Sequence, residues 1–517
     1  MKYLVYILAF LIIPALPLTA QSNLQEMPAP LIKLYSPKDY KAHGQNFAIV
    51  QNKQGVLYFG NFSGVLEYDG VFWKTIPTKN ITKVSALYLD SAQRVMVGAN
   101  NEFGYLAPDK SGSYNFVSIS NSESDFGAIT SIFQTADGIY FIAKNKIFLW
   151  NGKTLKNWKI KETITSAFLA NNIIYIFKTG VGLTRFDHGN FFRFPFVKDT
   201  ENIQDVNSVL FLNGKTFITT SHQGIFTFVN GAIGRLQTQA NEYLNGKEIF
   251  SGKVMNDNTL GIFASGGNFL SIHPENGEIN SRVRENDRFV GERVNFWIQD
   301  RMGGLWMALN NGIAQMAITS PISYYSENEN LRGQINDIFR FDGKLFTATS
   351  SGLYYLDNGK FLSFPSIKVA VWSLTGAYGI LYAATSRGVY SIAKGNKATP
   401  ISDDFTFCIY QSKKIKSKLY FGLENGLAEM DLSKGGRIKN IPGINGQIFK
   451  IAEDLDGNLW LESQTNGIFK FNQDTQKIVD YSTGKGLPTR LLNRISVGPA
   501  GLLVSNIKGV FQYEKTT

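Results

Sequence analysis

Residues 456–471 read Asp-Gly-Asn-Leu-Trp-Leu-Glu-Ser-Gln-Thr-Asn-Gly-Ile-Phe-Lys-Phe. Asp456-Gly457 is a turn signal between two strands. Leu459, Trp460 and Leu461 form a short apolar run of strand length. Gly467 then supplies the positive φ of a second tight turn, and residues 468–471 begin another apolar strand. The same order occurs at residues 55–69, 303–314, 343–357 and 419–431.

The position held by Trp460 recurs along the chain as Tyr58, Met96, Tyr140, Tyr175, Phe217, Gly261, Trp306, Phe346, Tyr382, Tyr420, Trp460 and Leu503. The interval is about 40 residues, the length of a four-stranded propeller blade. The copies from Tyr140 to Gly261 are the most degenerate. No helical periodicity of useful length interrupts the strands, which excludes helical repeat arrays. The fold class is therefore all-β, a β-propeller. Twelve copies exceed the roughly four to eight blades of one ring. The expected division is a complete seven-bladed propeller over residues 21–326, then a second, partial or smaller propeller of about five blades over 327–517, with a break near Ser320-Pro321. An open second ring would expose apolar blade faces and strand edges. A truncated chain, a smaller closed ring or a different division each answer that difficulty.

Composition agrees with a large globular core: 44% of the 517 residues are apolar and 18% charged. Residues 1–20 have the pattern of a signal peptide. Lys2 precedes an apolar run broken by Pro14 and Pro17, and Leu18-Thr19-Ala20 offers a cleavage site. The expected location is periplasmic or secreted. Cys408 is the one cysteine, so no intramolecular disulfide can form, and its apolar surroundings predict an inert, buried thiol. The net charge is +11. An exported chain seldom meets nucleic acid, and the basic run from Lys413 to Lys418 reads as a solvated hairpin loop, with a polyanion contact as the alternative.

Residues 58–73, 97–106 and 448–460 resemble the two-component regulator propeller repeat of bacterial sensor proteins, and the resemblance covers nearly all of residues 31–517. It implies the extracytoplasmic part of a hybrid two-component or triple-tyrosine-motif regulator. In that family two seven-bladed propellers sense an extracellular signal, often glycan fragments. A triple-tyrosine domain, a membrane helix and a kinase or DNA-binding output follow. This sequence departs from the pattern by ending at Thr517, inside the twelfth copy. The expected function is binding of a small molecule or oligosaccharide, with the signal passed to a C-terminal transmembrane and output region or to a membrane-bound partner. A free-standing secreted propeller, acting as a glycan-binding scaffold or as a lyase or hydrolase, is the alternative. A protein-interaction platform is a third reading. A second copy of the chain is a further candidate partner.

Motifs for chemistry are lacking. His43, His188, His222 and His273 show no metal-ligand spacing with one another or with Cys408. There is no nucleophile elbow, zinc-protease helix or phosphate-binding loop. Glu453, Asp454, Asp456 and Asn458 resemble part of a calcium loop, but the repeat already explains Asp456-Gly457 as a turn. The chain is thus read as a binder and not an enzyme, with no catalytic residue, metal or cofactor. Ligand contacts are sought where the sequence departs from the repeat. Glu102 and Tyr105, in a lengthened turn, could pair a polar group with a stacking ring, or merely shape the blade edge. Trp73, at a blade end, could stack on a sugar or pack against the next blade. Arg293, Trp297, Tyr324 and Tyr325 lie near the expected ring junction, a common setting for a ligand cleft.

Overall fold

The computed structural model describes residues 29–120, 125–193, 203–229, 231–283, 293–325, 329–394, 397–481, 487–498 and 501–513. The signal peptide expected at residues 1–20 lies outside them. The chain forms two compact units that meet in sequence at Tyr324/Tyr325.

Among the described residues the unit Ala29–Tyr324 holds seven four-stranded antiparallel sheets, here called blades 1 to 7. Blade 1 consists of Asn46–Gln51, Leu57–Asn61, Gly64–Tyr68 and Trp73–Ile76, paired in chain order. Blades 2 to 6 repeat this arrangement. Blade 7 takes Val294–Gln299, Leu305–Leu309 and Gly312–Met316 from the end of the unit. Its fourth strand, Ile32–Tyr35, comes from the beginning, with Ile32 opposite Met316 and Tyr35 opposite Ile313. One sheet thereby joins both ends of the unit and closes the ring without an exposed edge between them. The unit from Tyr325 holds blades 8 to 12. Among the described residues four have four strands, and blade 12 has three: Arg494–Gly498, Gly501–Asn506 and Gly509–Gln512.

All twelve repeat positions fall on the second strand of their blades. Pleating sends these side chains into the space between neighbouring blades. Tyr58 is 2% exposed and packs with Val84, Leu87 and Val97 of blade 2. Tyr140 meets Ile164 and Ile176 of blade 4, and Trp460 meets Ile495 and Val504 of blade 12. Blade 6 carries Gly261 instead. A β-carbon there would stand 2.5 Å from the Met255 sulfur and 2.8 Å from the Trp297 ring of blade 7, so those two side chains occupy the volume the missing aromatic leaves.

The turns follow from local chemistry. Asp300 Oδ1 accepts from the backbone N–H groups of Met302 and Gly304, and its Oδ2 accepts from the Trp306 indole at 2.9 Å. Asp454 repeats the device with Asp456, Asn458 and Trp460. The stretch resembling a calcium loop is therefore a capped turn, its central carboxylate engaged by protein donors. Gly64, at φ 130°, opens the third strand of blade 1 where a β-carbon would lie 2.5 Å from the Ile76 carbonyl oxygen. In the basic loop, the N–H groups of Lys413 and Lys414 donate to Glu453, and Lys418 pairs with Glu429 at 2.7 Å. Burial pushes the Cys408 thiol up to about 12.

Candidate functional site

The first strands of blades 1 to 7 stand around the axis of the closed ring, and their side chains line a cavity of about 710 Å³. Most of these strands carry a register shift after their first residue, as between Asn46 and Ala48 or between Ile249 and Ser251. Such a bulge re-aims a side chain that regular pleating would turn elsewhere. The residues in this position are Phe47, Ser85, Thr130, Thr165, Phe250 and Asn295, with Asn207 their counterpart just before the regular first strand of blade 5, and all seven line the cavity.

Much of this polar lining is already used to tie blade to blade. Ser85 Oγ donates to the Ile129 carbonyl at 2.9 Å, and Ser166 Oγ donates to that of Val206 at 3.0 Å. Asn207 reaches Ile249, and Asn295 Nδ2 donates to the Asn46 carbonyl across the closure between blades 7 and 1. Their first role is to hold the ring. Aromatic walls come from six of the seven blades: Phe47, Tyr88, Phe133, Phe168, Phe250 and Phe296.

Lys253 is the one charged residue among the described residues lining the cavity. It is opposite Gly261 in register, as Val50 is opposite Tyr58 and Phe133 opposite Tyr140. The equivalent positions in the other six blades are Val50, Tyr88, Phe133, Phe168, Leu210 and Ile298, all apolar or aromatic. The ammonium lies 4.2 Å from the Phe296 ring centre and 6.0 Å from that of Trp297. Loss of hydration pulls its pKa down to about 8. Two more cations sit over rings of the cavity wall: Lys83 over Phe47 at 4.3 Å and Arg293 over Phe250 at 5.9 Å.

None of the residues singled out in the sequence lines this cavity; Arg293 comes nearest, over the Phe250 ring of its wall. Trp73 stacks on Tyr68 at 4.2 Å and touches Tyr35, Tyr40 and Phe59, so it packs between blades 7 and 1. Glu102 is 1% exposed; its Oε2 accepts from the Asn80 N–H at 3.3 Å and its Oε1 is unbonded. Tyr105 lies on the same strand, Glu102–Pro108, beneath Arg94 and stacked with Trp150. An odd separation of three residues puts Glu102 and Tyr105 on opposite faces, about 10 Å apart along the strand, so they form no joint site. Trp297 is fully buried, and its indole N–H donates to Ser251 Oγ at 2.8 Å. Tyr324 belongs to a short strand paired with Ala29–Pro30. Tyr325 packs edge-on against Phe361 in the core of the other unit. Among the described residues no group of His, Cys, Asp and Glu side chains is placed to hold a metal.

Sequence reasoning missed Lys253 and the bulged belt. The signal for the lysine was present: the one copy with glycine at the repeat position also carries the one charge opposite it. The bulges leave no mark in the periodicity.

No family model matches the chain, and no curated protein matches it. In fold it is similar to the extracellular domain of a hybrid two-component system from B. thetaiotaomicron, with a TM-score of 0.69 at 18% identity over 93% of this chain and 73% of that one. A second such extracellular domain from B. thetaiotaomicron gives 0.45 at 16% identity over 92% and 70%. Virginiamycin B lyase from Staphylococcus aureus gives 0.42 at 13% identity over 55% of this chain and 98% of the lyase.

Proposed function

We propose that this chain is the extracytoplasmic ligand-binding part of a bacterial two-component or one-component regulator, and that it takes a small molecule or oligosaccharide in the central cavity of blades 1 to 7. The observation that carries the reading is the cavity itself, whose roughly 710 Å³ falls in the range of small-molecule sites. Its aromatic walls suit a flat or ring-shaped ligand. The repeat resemblance and the shared fold support the signalling context. Among the described residues no helix is long and apolar enough to cross a membrane, so in this proposal the signal leaves through other parts of the regulator or a membrane-bound partner.

The proposal is of binding without turnover. Apart from Lys253 the lining offers hydroxyls, amides and rings, with no carboxylate pair for acid–base work among the described residues. The test is a thermal-shift screen of residues 21–517 against glycan fragments and small metabolites. A ligand at a hundred times its Kd should stabilise the fold by about 2.7 kcal/mol. The expected result is a saturable shift with the compound recovered unchanged. Breakdown of the compound would point to the enzyme alternative, and a cooperatively folding protein that no compound shifts would refute the small-molecule reading.

A further inference from the structure

Lys253, half-buried, differs from several other lysines of the protein. Lys178 meets Glu162 at 3.4 Å, Lys418 meets Glu429 at 2.7 Å, and Lys450 donates to the Ile495 carbonyl at 2.9 Å. Lys470 bonds the Tyr513 hydroxyl and sits 3.8 Å from Asp454. Lys253 has ring faces for company and, among the described residues, neither an anion nor a hydrogen-bond acceptor. A covered ammonium without an acceptor is costly, and stability alone favours an apolar residue, as in the six other blades. Lys83 and Arg293, also without carboxylate partners among the described residues, make the potential at the wall positive rather than mixed.

We infer that the cavity of blades 1 to 7 is selective for a ring-bodied organic anion of mono- to disaccharide size, its charged group on the Lys253 ammonium and its ring against the aromatic wall. This rests on the binding function proposed above and specifies the ligand class. A lone lysine is a compact point charge, which suits one carboxylate or one sulfate ester. In a cavity with less water than bulk solvent that pairing is stronger than on an open surface. Burial holds the free ammonium's pKa near 8, so an anion must find it protonated. The only other titratable group among the described lining residues is the Tyr88 phenol.

The experiment is calorimetric titration of residues 21–517 with matched probes: glucuronate against glucose, N-acetylglucosamine 6-sulfate against N-acetylglucosamine, and benzoate against benzyl alcohol. Each is run at pH 6.5 and 9.5 on wild type and on Lys253→Met and Lys253→Arg. At least one acidic member should bind ten-fold or more tighter than its neutral partner at pH 6.5. That preference should shrink at pH 9.5, where the free ammonium is deprotonated. Lys253→Met should abolish it while melting no lower than wild type, and Lys253→Arg, which stays charged at pH 9.5, should keep it there. Success of the carboxylates alone or of the sulfate alone names the charged group. Neutral probes binding as well as acidic ones, or a preference that survives Lys253→Met, overturns the anion assignment and leaves the cavity as the binding site. Silence from every probe overturns the assignment too, and the wider screen then decides separately whether the cavity binds anything.

Discussion

Trp73 and Trp297 are both indoles that the sequence offers as binding residues, and both are committed to packing. Trp73 lies among Tyr35, Tyr40, Phe59 and Tyr68, four rings drawn from three separate segments. Replacing it with alanine leaves a hole at the seam where the ring closes. Trp73→Ala should lower the unfolding free energy by about 3 kcal/mol in urea melts, with ligand affinity unchanged. A large loss of affinity with stability intact would instead make Trp73 a ligand contact. Lys253 has the opposite profile, because removing it relieves a desolvation cost. The sign is fixed by its lowered pKa. The penalty is full below about 8, where the lysine is charged in both states, and fades as the pH rises toward the unfolded value.

At the scale of the element, the strand–turn–strand unit was the most legible feature of the sequence. The twelve repeat positions fall on twelve second strands because the turn signals and apolar runs are short-range and recur at fixed spacing. The bulges were not legible, since one extra residue shifts register without changing composition. Nor was the fourth strand of blade 7, because Ile32–Tyr35 pairs with residues almost three hundred positions away. The site suffered from the same gap. Its residues come from bulged first strands, whereas sequence attention fell on loops and on an expected ring junction. The capped turn carries a prediction of its own. Asp300 is 6% exposed and accepts from two backbone amides and the Trp306 indole. Asp300→Ala leaves three donors without that acceptor and should cost about 3 kcal/mol, while Asp300→Asn should recover part of it by keeping one oxygen for the amides. Equal losses in the two variants, read from urea melts followed by tryptophan emission, would show that the hydrogen bonds are not the source of the effect.

For the whole molecule, closure of blades 1 to 7 by Ile32–Tyr35 is what turns seven modest sheets into a cavity. Each blade buries its faces only against its neighbours, so the ring gains stability and an axial cavity together. Blades 8 to 12 follow the same internal rules, with their own cores between blades. The central claim is that the ligand sits on the axis of the first ring, and hydrogen–deuterium exchange tests it most directly. Exchange is compared with and without the compound that gives the largest thermal shift. The account predicts added protection in the first strands around the axis, including Asn46–Gln51, Val84–Leu89, Ile249–Val254 and Val294–Gln299, at once and to saturation. Protection confined to residues beyond Tyr325, with these strands unchanged, would contradict it.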